Sequence, residues 1–165
     1  MAKEIQNIIG INPGTRYLGI AVFDGPELMD WRIKVLTGKW SKEKMEKALG
    51  IISDLMEIYK PNVLAIKKLH PSRRSQNLER LVTGLKHFAK RKGLKVCQYS
   101  VEDLEEFFVQ EDKLNKKNLA EAIVLENPAL FHELQKEKAH KNSYFIRVFE
   151  AVALASACAQ RLGKS

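Results

Sequence analysis

The order of hydrophobic patterns along the 165 residues predicts an α/β fold: a mixed five-stranded sheet, three antiparallel strands then two parallel, with helices on both faces. Three observations predict it. Up to Leu36 the chain holds three apolar segments joined by short turns, two with clear two-residue alternation, the pattern of an antiparallel meander. Two further short β segments, Val63 to Ile66 and Lys95 to Tyr99, each follow a stretch with apolar residues at helical spacing, and a helix between strands is what a parallel connection requires. The last third is helical in its periodicity.

Taken in order, the first strand is Asn7 to Asn12, and Asn12-Pro13-Gly14 turns the chain. Leu18 to Phe23 follows, with Leu18, Ile20 and Val22 on one face, until Asp24-Gly25-Pro26 breaks it. In Asp30 to Leu36, Trp31, Ile33 and Val35 alternate with Arg32 and Lys34, as in a half-buried strand. Ser41 reads as an N-cap, although Lys44 stands where a capping box places glutamate. The helix beyond it carries Met45, Leu49, Ile52, Leu55, Met56 and Tyr59 on one stripe and is closed by Pro61. Val63 to Ile66 is all apolar, hence buried, and runs into Lys67-Lys68-Leu69-His70-Pro71. A second helix, Ser75 to Lys92, turns Leu78, Leu81, Val82, Leu85 and Phe88 inward; Gly93 ends it and Lys95 to Tyr99 is the fifth strand. Helices over Val101–Phe108, Lys116–Glu126, Pro128–Lys138 and Tyr144–Leu162 complete one domain, residues 1–165, and the last is apolar nearly all round.

Composition bounds the function. No apolar run approaches the roughly 20 residues that span a bilayer, and MAKEIQN lacks the pattern of a secretion signal, so a cytoplasmic protein is expected with no membrane partner. Cys97 and Cys158 lack CxxC spacing and read as small buried hydrophobes, and the four histidines show no ligand spacing, so no metal site is expected from them. The formal charge of +8 favours a polyanionic partner. Its cations bunch from Lys67 and Lys68 through Arg73, Arg74 and Arg80 to Lys92.

The segment GINPGTRYLGIAVFDG resembles the first hairpin of the RuvC-type Holliday junction resolvases, members of the RNase H-like superfamily, in which an Asp-Pro-Gly-Ser/Thr turn follows strand one. VLAIKKLH is similar to their fourth strand, LNKKNLAEAIVLENP to their Thr-Lys-x-x-Val-Ala segment, and FEAVALASACA to their last helix. The resemblance implies four carboxylates holding two divalent metals that activate water for phosphodiester cleavage. Carried over residue by residue, those carboxylates fall on Asn12, Lys67, Phe149 and Val152, none of which is an acid.

An amide is a poor magnesium ligand. An ammonium in place of a carboxylate is worse, because a unit charge at 4 Å is worth about 4 kcal/mol at an effective dielectric of 20, doubled for a divalent ion. No catalytic residues and no cofactor are therefore expected, and Mg²⁺ enters only if a shifted site survives. Glu150 is the nearest remaining acid; it reads either as a displaced ligand or as a carboxylate paired with Arg147 or Lys67, the pairing with Lys67 filling the old metal site. Asp24 and Asp30 are explained by turn chemistry.

What the resemblance leaves is a nucleic-acid surface: Asn12, Thr15, Lys67, Lys68, Arg73, Arg74 and Arg80, with Lys116 and Lys117 as a second patch. The leading expectation is a RuvC-like protein that binds branched or structured DNA without cutting it; a homodimer is implied by the resemblance alone. Two alternatives stay open: an active metal-dependent junction endonuclease with a shifted site, and a protein-interaction module that has kept only the fold.

Overall fold

In the computed structural model, residues 6–70, 75–108, 123–124, 127–132, 135 and 146–163 are described. Strands β1 (Asn7–Asn12), β2 (Tyr17–Asp24) and β3 (Glu27–Val35) form the meander, helix α1 (Lys42–Tyr59) leads to β4 (Val63–Lys67), and α2 (Gln76–Arg91) leads to β5 (Lys95–Tyr99). Helix α3 (Val101–Phe108), a 3-10 turn at Pro128–Leu130 and α4 (Ile146–Gly163) follow. The sheet order is β3-β2-β1-β4-β5: β1 pairs antiparallel with β2 and parallel with β4, and β5 is parallel to β4. This is the mixed five-stranded sheet that the patterns predict.

Side-chain alternation in the central strands sorts the core into two halves. Ile9, Ile11, Leu18, Ile20, Val22, Leu64 and Ile66 face α1 and α2. Ile8, Ala21, Phe23, Val63 and Ala65 face the other way, onto α4 and α3. Parity then places the last residues of the two central strands. Asn12 continues the series Ile8, Gly10, and Lys67 the series Val63, Ala65, so both side chains emerge on the α4 face.

Both caps expected from the sequence are made: Ser41 Oγ accepts the Lys44 N–H at 3.2 Å and Ser75 Oγ the Leu78 N–H at 3.1 Å. Lys60 takes a left-handed conformation (φ 49°) to end α1 before Pro61, and Gly93 (φ 84°) ends α2. Strand β3 begins earlier than alternation indicates, because an irregularity at Val22/Phe23 lets pairing continue to Asp24 opposite Glu27. As an edge strand it is half-exposed; Trp31 and Ile33 pack beneath α4, but Val35, expected inward, is exposed at its end. Cys158 is buried as expected, whereas Cys97 is only half-buried because β5 is the other edge. The expected helix Lys116–Glu126 lies outside the described residues except for Ile123 and Val124, which are helical and buried. Of Pro128–Lys138, the described residues give the short 3-10 turn and helical conformation at positions 131, 132 and 135.

Candidate nucleic-acid interface

The site is assembled by glycine. Gly10 on β1 and Gly19 on β2 lie on the α4 face, and a Cβ at either would run into α4 backbone: the Ala151 carbonyl at Gly10, the Arg147 carbonyl at Gly19. Without those side chains the helix backbone settles directly onto the hairpin. Ala155, whose Cβ lies 3.0 Å from the position a Gly10 Cβ would take, continues the close approach one turn on. The α4 residue delivered over the end of β1 is then Glu150.

Its carboxylate is the centre of the site. Asn12 Nδ2 donates to Glu150 Oε2 at 2.6 Å and lies 3.5 Å from the Arg147 carbonyl. Lys67 Nζ donates to the same Oε2 at 3.0 Å. Asn12 is 2% exposed, the Glu150 side chain 3% and the Lys67 side chain 20%. An ammonium and an amide thus converge on one buried carboxylate oxygen, and burying a charge is tolerable on that condition. The pairing of Glu150 with Lys67, one of the two readings of this acid from sequence, is the arrangement found.

Phe149 and Val152 require a correction. The ungapped comparison puts the family's last two acids there, but both side chains are completely buried in the core between α4 and the sheet. At 100° per residue they project away from the face that carries Glu150. The polar α4 side chains at the turn end of the hairpin are Glu150 and, three residues earlier, Arg147. The guanidinium of Arg147 stands 5.5 Å from the centre of the Tyr17 ring, which Arg16 also approaches at 5.4 Å. Gly14 makes room for it, since a Cβ there would come within 2.6 Å of Arg147 Nη1. Sequence reasoning gives Arg147 no role beyond a possible partner for Glu150; its signal is an arginine one turn from the only acid of an otherwise apolar helix.

The other candidates divide. Lys68 is exposed just past β4, where its N–H donates to the Tyr99 carbonyl at 2.8 Å. Thr15 is partly exposed in the β1–β2 turn, and Arg80 is exposed on α2. Arg73, Arg74, Lys116 and Lys117 lie outside the described residues. Asp24 pairs with Asn7 at the opposite end of the hairpin from Asn12, about 17 Å away at the rise of a strand. Asp30 is engaged by Arg32 and by the Tyr59 hydroxyl at 2.8 Å. Burial pushes its carboxyl up, but the hydrogen bonds from Arg32 and Tyr59 outweigh that and hold it below the usual carboxylate range.

A divalent pair does not fit this donor set. One carboxylate, one amide and one ammonium replace the several oxygen anions that such ions need, and among the described residues no three His, Cys, Asp or Glu side chains cluster at metal-binding distance. No helix among them is long and apolar enough to cross a membrane.

No protein-family model matches the sequence, and no curated protein matches it. The fold does match solved structures, among them RuvC and a viral resolvase, each solved with Holliday junction DNA. RuvC of Thermus thermophilus is similar both in complex with Holliday junction substrate (TM-score 0.73, 17% identity, 96% of each chain covered) and in a second structure (TM-score 0.72, 17% identity, 95% of this chain and 96% of that one). Fowlpox virus resolvase in complex with Holliday junction DNA is similar at TM-score 0.59 and 12% identity, over 94% of this chain and 98% of that one. The chain therefore has the RuvC fold over nearly its whole length.

Proposed function

We propose that this protein binds branched DNA through its RuvC-like face and does not cleave it. One observation carries the reading: at the ends of the two central parallel strands, where open α/β sheets hold their ligands, a lysine ammonium sits on the site's buried acid. Lys67 acts first as a plug. Its charge is largely spent on Glu150, so the attraction for phosphate falls to other cations: Lys68 beside it in sequence, Arg147 at the same end of the hairpin, the exposed Arg16 and Arg80, and Arg73 and Arg74 next in sequence. Phosphate contacts of this kind position DNA and read no sequence. The likeness to resolvases that were solved with junction DNA, together with a charge of +8, supports a branched duplex as the partner. The homodimer implied by the sequence resemblance belongs to the same proposal, with sedimentation at working concentration as its check.

The test is binding to four-way junction and to linear duplex across a salt series. Junction is expected to bind more tightly, with affinity falling steeply with salt. The combined alanine variant at Lys68, Arg73 and Arg74 should bind more weakly to every sequence and lower the salt slope by roughly one for each phosphate it no longer neutralises. Absence of binding at low salt, or indifference to that variant, overturns the DNA reading and leaves the interaction module. Cleavage of a saturated junction in Mg²⁺ or Mn²⁺ overturns the inactive reading.

A further inference from the structure

On the same side of the β1–β2 turn as Thr15 lies a cleft of about 510 Å³, within the range of small-ligand sites. Thr15, Arg16 and Tyr17 line it from the turn, Trp40 and Lys44 from the start of α1, and Asn77 from the first turn of α2. Lys44 is its unusual member. The residue is only 8% exposed, and Nζ donates to the Gly38 carbonyl at 2.7 Å. Among the described residues it has no carboxylate partner. An ammonium has three donors and is costly to bury without a counter-charge. This one also stands in the first turn of a helix, where the backbone dipole is positive and cations are disfavoured. Glu43, the acid of that turn, is exposed and does not line the cleft. The first turn of α2 contributes a second positive helix end. Glu79 in that turn is, like Glu43, exposed and not part of the lining, so two helix starts, the buried Lys44 and the exposed Arg16 leave the cleft lined by positive charge, which is the condition for holding an anion.

The walls narrow the choice of anion. Trp40 is half-buried against the core beneath α1 and still lines the cleft, so it is a rigid aromatic surface beside the cation. Asn77 adds both a donor and an acceptor. A phosphate ester with a flat ring attached matches cation, aromatic surface and amide together, whereas inorganic phosphate would use only the first.

We infer that this cleft is a nucleotide subsite, taking the phosphate of one unpaired nucleotide on Lys44 and Arg16 and its base against Trp40. It rests on the DNA-binding reading and adds to it: the protein holds a nucleotide flipped out near a branch point, as well as the phosphates of paired arms. A free nucleotide presents the same chemistry, so the test separates the two sources.

Anisotropy titrations compare a fully paired four-way junction with one carrying a single unpaired thymidine at the branch. The wild-type protein should prefer the second by about tenfold, the worth of one base stacked on an aromatic side chain. Lys44→Met and Trp40→Leu should each abolish that preference while leaving affinity for the paired junction unchanged. Lys44→Met should melt at or above the wild-type temperature, because an isosteric apolar chain relieves a buried charge. A lysine serving only to hold the Gly38 loop would instead melt lower and keep the preference, and that result overturns the inference. So does equal affinity of the wild type for both junctions. In a second arm, thymidine monophosphate is titrated while the Trp40 indole N–H is followed by NMR. A shift with the nucleotide but no junction preference assigns the cleft to free nucleotides and overturns the strand assignment. Loss of binding to both junctions overturns the DNA reading itself, which is visible separately because the paired junction is then also unbound.

Discussion

Lys67 and Lys44 are both drawn into the protein, on either side of the β1–β2 turn, and they differ in what they meet. Lys67 finds a carboxylate at 3.0 Å, shared with the amide of Asn12. Lys44 is buried more deeply and finds one backbone carbonyl. The first arrangement is electrostatically closed: ammonium and carboxylate cancel, and a metal ion arriving there would have to displace the lysine. The second is open, a cation whose compensation has to come from outside. On the proposed reading one buried lysine shuts a site, while the other keeps a cleft charged.

That contrast can be broken most forcefully at Lys67. Lys67→Met leaves Glu150 buried without its cation, and denaturant unfolding should show a loss of about 3 kcal/mol, the lower end for a broken buried pair because Lys67 is partly exposed. The double variant Lys67→Met/Glu150→Gln should recover most of it. If both variants lose the same stability, the pair is not coupled and the closed reading of this site fails.

Gly19→Ala tests what delivers Glu150. The added Cβ meets the Arg147 carbonyl, so α4 must lift, at a cost of about 1–3 kcal/mol. The Asn12 side-chain amide resonances should move with it. Unchanged stability would mean that the close approach of helix and hairpin is not what sets the site.

Ser41→Ala sharpens the other side of the comparison. It removes the cap on the Lys44 N–H and should cost about 1 kcal/mol. Lys44→Met, which removes the charge but not the cap, should cost nothing in the same experiment. Equal losses would show that Lys44 contributes to the fold as the cap does.

The smallest effect concerns β5, the edge strand paired with β4. The hydrogen bond from Cys158 lowers the Cys97 thiol to about 6, while that same contact, together with burial, pushes Cys158 up. Cys97 should therefore be alkylated by iodoacetamide at neutral pH, the rate falling as pH drops through about 6, and Cys158 should be protected until unfolding. Cys158→Ala should move the Cys97 profile to higher pH. Equal labelling of both cysteines would contradict the contact.

Much of this is legible in the sequence, for reasons that particular residues supply. Ser41, Ser75, Pro61 and Gly93 punctuate the chain locally, and the alternation of β2 and the all-apolar run of β4 report burial directly, so the architecture can be read. Asn12, Lys67 and Glu150 can be brought together because strand ends and helix follow in the family's order. Phase on α4 cannot: a helix apolar on all sides gives no preferred face, so an ungapped comparison puts Phe149 and Val152 at the site although they fill the core. The signal that fixes the phase is the small residues, Gly10 and Gly19 against Ala151 and Ala155. The cleft is beyond reach because it joins a turn, a loop and two helix starts that only the fold assembles. Its trace in the sequence is Lys44, a cation where a capping box calls for glutamate.

The decisive measurement is anomalous diffraction from a crystal of the protein with a four-way junction, soaked in manganese. The expected map shows no ion within coordinating distance of Glu150, Lys67 Nζ still on its Oε2, and DNA phosphates against the surrounding cations. Manganese between Asn12 and Glu150, with Lys67 swung out to solvent, would contradict it.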